Sequence, residues 1–296
     1  MSQKAIPIPE RRASLLRKSE YLVAGYFLLS AVRAAVHRRP LGAVVDVAVP
    51  LVFCGLAWME RRAGAGWVAV LRDWLLLPVL LVAYWNVDWS GASSHSPGWE
   101  YRWIALDRLL LDALGGRALI ESCGSLWPAV LELLYLGLYA LPPILLGVVY
   151  VSGRRAQADD FLATMLAGAL TAYALLPLFP TRSPGVLFPA QDLPSVTTLF
   201  RRLNVWVLGN FDIHASIFPS GHVAVAFSAA FGMMRVLPER RWLGRLLLLY
   251  AALVAVNTVY ARYHYAVDGL AGFVISLVVC RMYPARFGLR DSAHGT

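Results

Sequence analysis

Two short stretches carry the residue types that could do chemistry. Phe218-Pro219-Ser220-Gly221-His222 and Tyr260-Ala261-Arg262-Tyr263-His264-Tyr265-Ala266-Val267-Asp268 each sit where a long apolar run meets a polar loop. His264 and Asp268 are four residues apart, so on a helix they share a face, and the carboxylate can hold one ring nitrogen while the other turns to a substrate. That is the base-and-orienter half of a catalytic triad. Pro219 suits a first helical turn, with Ser220, Gly221 and His222 just inside it; a helix start offers free backbone N–H groups to an anion, and glycine lets the anion come close. Arg262 adds a planar fork of donors suited to phosphate oxygens.

These residues can meet only if the chain returns to the side it left. Between the two stretches lie an apolar passage, Pro219 to Leu237, a loop with Glu239, Arg240, Arg241 and Arg245, and a second apolar passage, Leu243 to Tyr260. Two crossings of a bilayer place His222 and His264 on the same face.

Composition supports a bilayer. Hydrophobic residues make up 58% of the 296-residue chain and the mean hydropathy is +0.58, values of a membrane protein rather than of soluble domains. The net charge of +9 is spread in small clusters between apolar runs, with no continuous stripe, so nucleic acid is not an expected partner, and the clusters read as loops that set membrane orientation. Lysine occurs only at Lys4 and Lys18. Cys54, Cys123 and Cys280 have no metal-ligand or disulfide-framework spacing. No small-residue cleavage site follows the first apolar run, so no removable signal peptide is expected.

In order, residues 1–65 read as a basic N-terminus (Lys4, Arg11, Arg12, Arg17, Lys18) and a hydrophobic hairpin, Tyr21 to Val36 and Leu41 to Trp58. Residues 66–284 read as a six-span core, and residues 285–296 as a cytoplasmic tail. The expected spans are Trp67 to Trp85, Trp127 to Val151, Phe161 to Phe179, Pro219 to Leu237, Leu243 to Tyr260 and Asp268 to Tyr283, each near the ~20 residues a bilayer needs. Arg72 and Asp73 are expected to snorkel or to pair with neighbours. Residues 99–114 have the spacing of an amphipathic helix lying in the membrane surface, anchored by Trp99 and Trp103. Leu199 to Leu208 is a second candidate surface segment. Basic clusters then fall on one side and the histidines on the other, which predicts an extracytoplasmic site in a bacterial inner membrane.

The P-S-G-H of Pro219 to His222 and the R-x-H-x-x-x-D of Arg262 to Asp268 resemble the second and third motifs of the type 2 phosphatidic acid phosphatase (PAP2) superfamily. The third motif departs from its common form: Thr258 stands at the usual arginine position, and Arg262, two before His264, looks like the inositol-phosphoceramide-synthase-type branch. The first motif is degraded. Pro180-Thr181-Arg182-Ser183-Pro184 stands as its remnant, with Leu175 where lysine is expected. The Asp107-Arg108-Leu-Leu-Leu pattern is similar to a segment of the same branch.

The resemblance implies an all-α integral membrane fold and a metal-independent phosphoric ester hydrolase or phosphotransferase, with no cofactor, acting on a membrane lipid phosphate. His264 would attack phosphorus, Asp268 would fix its tautomer, and His222 would protonate the leaving alkoxide. Arg262, Arg182 and the N–H groups around Ser220 and Gly221 would hold the phosphoryl oxygens. A lipid phosphatase is the leading expectation. A head-group phosphotransferase or phospholipase-C-like enzyme uses the same triad, and a non-enzymatic lipid transporter or scaffold is the third reading. A metal site of His214, His222, His264 and Asp268 is a minor alternative, and Asp212 has no role beyond capping or solvent exposure. Oligomeric state and the role of the N-terminal hairpin stay open.

Overall fold

The computed structural model describes residues 14–91, 95, 98–189 and 191–282. Lys4, Arg11, Arg12, most of the 91–97 polar loop and the expected tail at 285–296 lie outside the described residues.

The described residues form helices and no strand: α1 (Lys18–Val36), α2 (Pro40–Ala63), α3 (Gly66–Trp89), α4 (Glu100–Arg108), α5 (Gly116–Glu121), α6 (Leu126–Gly137), α7 (Leu141–Val151), α8 (Ala158–Leu175), α9 (Pro184–Leu187), α10 (Leu199–Phe211), α11 (Gly221–Val236), α12 (Arg241–Tyr260) and α13 (Ala266–Met282). Local signals set several ends. Pro40 opens α2, where its missing N–H costs nothing, and Gly64, at φ +58°, closes it. Among the described residues four helical segments are long and apolar enough to cross a membrane: α2, α3, residues 155–178 around α8, and α12.

One expected span is not a single helix. Trp127 to Val151 breaks at residues 138–140 into α6 and α7, which meet at 67°. Pro142 and Pro143 sit in the first turn of α7, where their missing N–H groups cannot continue the hydrogen bonding of α6 but cost a new helix start nothing. The remaining expected spans, α11 and α13, are 16 and 17 residues long.

Helix α11 is central, packing on α8, α12 and α13. Small residues let it come close. A Cβ on Gly168 of α8 would fall 1.9 Å from Ser228 Oγ of α11, and one on Gly272 of α13 would fall 2.6 Å from the Ser220 carbonyl oxygen. The N-terminal pair α1 and α2 packs on α3, and α1 also on α8. The two charges in α3 pair rather than snorkel: Arg72 binds Glu20 and Glu60, and Asp73 accepts from Arg17 and from the Tyr150 hydroxyl.

The segment expected as a surface helix at 99–114 is α4 followed by a π-helical turn, Leu109–Ala113. Trp99, Tyr101 and Leu106 are exposed, but Glu100, Ile104 and Asp107 are buried. Trp103 is not a surface anchor. Its ring packs 5.2 Å from Phe218 and 5.6 Å from Tyr265, against both chemically loaded stretches.

Candidate active site

Ser220 caps α11, its hydroxyl accepting from the Val223 N–H at 3.4 Å. The helix therefore starts at Gly221, and Pro219 precedes it instead of lying in the first turn; the Phe218–Pro219 peptide is cis. The Ser220 N–H donates to the Asp268 carbonyl at 3.0 Å. The hydroxyl of Ser220 thus caps α11 and its N–H ties α11 to α13, so that N–H is already paired. Gly221 does face the cavity described below, and a Cβ there would lie 2.7 Å from the Tyr173 ring.

His264 and Asp268 do not share a helical face, because α13 begins at Ala266. Instead Asp268, in the first turn, reaches back: its Oδ2 lies 3.2 Å from His264 Nδ1 and accepts the Tyr265 N–H at 3.0 Å. A carboxylate there selects the tautomer protonated on Nδ1 and leaves the other ring nitrogen free to attack. The His222 ring lies 5.7 Å from the His264 ring, centroid to centroid. Tyr135 stacks on His222 at 4.9 Å, and His222 Nε2 is 3.2 Å from the Tyr135 hydroxyl and 3.5 Å from that of Tyr139.

Arg262 is buried at φ +69°, a left-handed conformation that side-chain-bearing residues rarely adopt. Its backbone is fixed at both ends, the N–H donating to Val259 and the carbonyl accepting from Gly185 at 3.1 Å each. Among the described residues its three guanidinium nitrogens have no hydrogen-bond partner; Asp192 Oδ2 lies 3.6 Å away. Burial lowers its pKa against the opposing pull of Asp192 and Asp107. A buried planar cation with free donors is what an incoming anion requires.

His222, His264, Arg262, Gly221 and Arg182 all line one cavity of about 1160 Å³. Its apolar wall includes Leu77 and Leu81 of α3, Leu136 of α6, Pro142 of α7 and Leu208 of α10. The Arg182 side chain is exposed, and its backbone N–H donates to Glu100 Oε1 at 3.3 Å. Glu100, whose pKa its hydrogen bonds pull below the usual value despite burial, also binds His95 at 2.6 Å.

Other residues at the site had only weak signals in the sequence. Glu132, buried on α6, gathers Arg201 (3.1 Å), Asn204 (2.7 Å) and Tyr263 (2.9 Å), and Arg201 and Tyr263 line the cavity. A carboxylate inside an apolar run implies such partners, without naming them. Asp107 accepts the Ala266 N–H at 2.9 Å, and burial pushes its carboxyl up to about 7. Asp212 is the C-cap residue of α10, as one of its expected roles had it, and it also lines the cavity. His214 is 95% exposed and lies against Asp88, 3.4 Å away. Among the described residues no three His, Cys, Asp or Glu side chains are grouped to hold a metal ion, so the alternative built on His214, His222, His264 and Asp268 is not assembled.

Fold and site together define an all-α membrane protein in which an aspartate-held histidine, a second histidine and a buried arginine open on one amphipathic cavity. The chain belongs to the PAP2 superfamily, whose family model matches residues 126–282, just over half of its length. It is 30% identical over 145 residues to the putative undecaprenyl-diphosphatase YbjG of Escherichia coli, covering 48% of this chain and 65% of that protein. It is 38% identical over 66 residues to a PA-phosphatase related-family protein of Dictyostelium discoideum, covering 22% of this chain and 11% of that one. The chain thus spans less than two thirds of the length of either curated relative. No solved structure matches it.

Proposed function

We propose that the protein is a membrane lipid phosphatase that hydrolyses a lipid phosphate or pyrophosphate through a phosphohistidine on His264. One observation carries the reading: the Asp268-held imidazole of His264, the His222 ring 5.7 Å away and the unpartnered Arg262 guanidinium all face one cavity. Phosphate esters react very slowly in water, so a site needs a nucleophile, an acid for the leaving group and positive charge on the phosphoryl oxygens. In the first step the free ring nitrogen of His264 attacks phosphorus, the P–O bond to the leaving group breaks, and His222 gives that oxygen a proton. In the second, water attacks the phosphohistidine, the P–N bond breaks, and His222 takes the water proton. Arg262, Arg182 and the Gly221 N–H hold the equatorial oxygens, and Asp268 stabilises the imidazolium.

The apolar wall suits an acyl or prenyl chain, and the name of the Escherichia coli relative favours a lipid diphosphate. The basic loops, such as Arg240, Arg241 and Arg245, lie between spans on the side opposite the histidines, which supports an extracytoplasmic site in a bacterial inner membrane. Transfer of the phosphoryl group to an alcohol is the second reading, favoured by Arg262 standing two residues before His264, as in the inositol-phosphoceramide-synthase-like branch.

The test is phosphate release from a panel of lipid phosphates by detergent-purified protein in EDTA, beside His264→Ala. Release is expected from the wild type and not from the folded variant; near-normal release by His264→Ala sinks the covalent mechanism. His222→Ala should spare aryl phosphates, whose leaving groups need little acid help, more than alkyl phosphates, and an equal loss on both argues against its acid role.

A further inference from the structure

We infer that Asp212 and Tyr84 form a subsite beside the two histidines for the hydroxyl groups of a neutral polyol, which serves as an alcohol acceptor of the phosphoryl group. The inference rests on the phosphohistidine reading above and deepens it.

Asp212 closes α10, its N–H donating to Leu208 at 3.1 Å. Its Oδ1 takes two donors, the Tyr84 hydroxyl and the Ile213 N–H at 3.0 Å. Its Oδ2 accepts no hydrogen bond from the described residues, yet the side chain lines the cavity. The donors nearby are already committed. The His214 and Ala215 N–H groups go to Asp88 at 2.8 Å each, the Trp85 indole goes to the Phe211 carbonyl at 2.9 Å, and the Tyr135 and Tyr139 hydroxyls lie at His222. Burial raises the pKa of Asp212, and both Tyr84 and the field of His264 oppose that shift. A carboxylate oxygen that faces the cavity without a protein donor can take one from a ligand.

Charge decides which donor. A second anion beside a phosphate is repulsive, so Asp212 is not a phosphate ligand. Arg182, Arg201 and Arg262 line the same cavity, which disfavours an ammonium ligand. A neutral hydroxyl fits both constraints, and a cavity of about 1160 Å³ has room for a polyol next to a phosphoryl group. In the transfer step the polyol oxygen bonds to phosphorus, the P–N bond to His264 breaks, and the hydroxyl proton passes to His222, which gave up its own proton to the first leaving group.

The test compares glycerol with propan-1-ol, which shares its three-carbon skeleton. Saturation-transfer NMR on His264→Ala protein, purified in glycerol-free detergent, should show glycerol above propan-1-ol. Asp212→Asn in that background keeps an oxygen for Tyr84 and Ile213 but turns the free acceptor into a donor, and should weaken glycerol binding about tenfold. Equal signals for the two alcohols, no effect of Asp212→Asn, or stronger binding of ethanolamine than of glycerol overturns the inference. With wild-type protein, the ratio of glycerol phosphate to inorganic phosphate, read by phosphorus NMR, should fall about tenfold in Asp212→Asn. Phosphate release with no glycerol phosphate, or an equal loss of both products, overturns the acceptor role. Binding as expected with no turnover of any donor instead removes the phosphohistidine reading and leaves the subsite standing.

Discussion

Replacing Arg262 with glycine should stabilise the protein while disabling it. Arg262 holds φ +69°, which costs a side-chain-bearing residue roughly 1–2 kcal/mol and glycine almost nothing. Its guanidinium is buried, lies 3.6 Å from the nearest carboxylate and lacks hydrogen-bond partners. Burial lowers its pKa, which means the folded state disfavours this charge relative to the unfolded chain. Arg262→Gly relieves both penalties and forfeits a loose attraction to Asp192 and Asp107 and the packing of the buried side chain beside an existing cavity, a net gain of about 1 kcal/mol and a rise of about 2–4 °C in Tm. In the proposed mechanism the same change removes two charge-assisted bonds to the phosphoryl group at about 1.5–3 kcal/mol each, so kcat/KM should drop roughly 10²- to 10⁴-fold. Tryptophan fluorescence during heating in detergent gives the first quantity and phosphate release the second. Arg262→Lys keeps the charge and the backbone strain, so it should lose activity without gaining Tm. A lower Tm for Arg262→Gly, or near wild-type kcat/KM, refutes the reasoning, because either shows that the arginine was holding the loop together and was not waiting for an anion.

Three further outcomes test the shell around the site. Because burial raises the Asp107 carboxyl from 3.8 to about 7, its contribution to stability is complete below about pH 4 and lost as pH rises through about 7. The Tm of wild type should therefore fall relative to that of the uncharged variant Asp107→Asn from pH 5 to pH 8, and a flat difference rejects the burial argument. Glu132→Ala strands Arg201, Asn204 and Tyr263 and should cost about 3–5 kcal/mol, read as a fall in Tm. Gly272→Ala puts a Cβ 2.6 Å from the Ser220 carbonyl oxygen, a backbone atom that cannot swing aside. It should cost about 1–3 kcal/mol and, by moving α11 away from α13, lower kcat more than tenfold; wild-type kcat with unchanged Tm shows that the two helices are free to separate.

The sequence was most informative where chemistry is local. The spacing of His264 and Asp268 anticipated their contact, although the route differs: the aspartate reaches back across the helix start, where it also satisfies the Tyr265 N–H. Arg262 was legible for the same reason, lying two residues from His264. What hydropathy hid was geometry. The run from Trp127 to Val151 is apolar throughout, so its average gives no hint of the 67° break, and only Pro142 and Pro143 mark it. Long-range pairings were harder still. Nothing near Glu132 in sequence announces Arg201, 69 residues on, and nothing near Asp107 announces the Ala266 N–H, 159 residues on. Asp212 looked expendable because a carboxylate at a helix end has a bland explanation, whereas its Tyr84 partner lies on another helix.

The unequal satisfaction of buried polar groups links these parts into one account. At the base of α1 and α3 the charges are matched: Arg72 meets Glu20 and Glu60, and Arg17 meets Glu60 and Asp73. Around Arg262 the opposite holds. Its three guanidinium nitrogens, Asp268 Oδ1, Asp107 Oδ2 and the Tyr265 hydroxyl are buried without partners among the described residues, all on the loop into α13, the first turn of α13 or the α4 segment packed on it. A chain that can pair charges at one end of the bundle and leaves them unpaired at the other is not simply badly packed. Close helix contacts at Gly168 and Gly272 fix α11 between α8 and α13 firmly enough to hold the unsatisfied groups in place. What the Arg262 guanidinium lacks is the set of acceptors that an anionic ester would bring, so the strain at the loop and the proposed chemistry have the same physical origin.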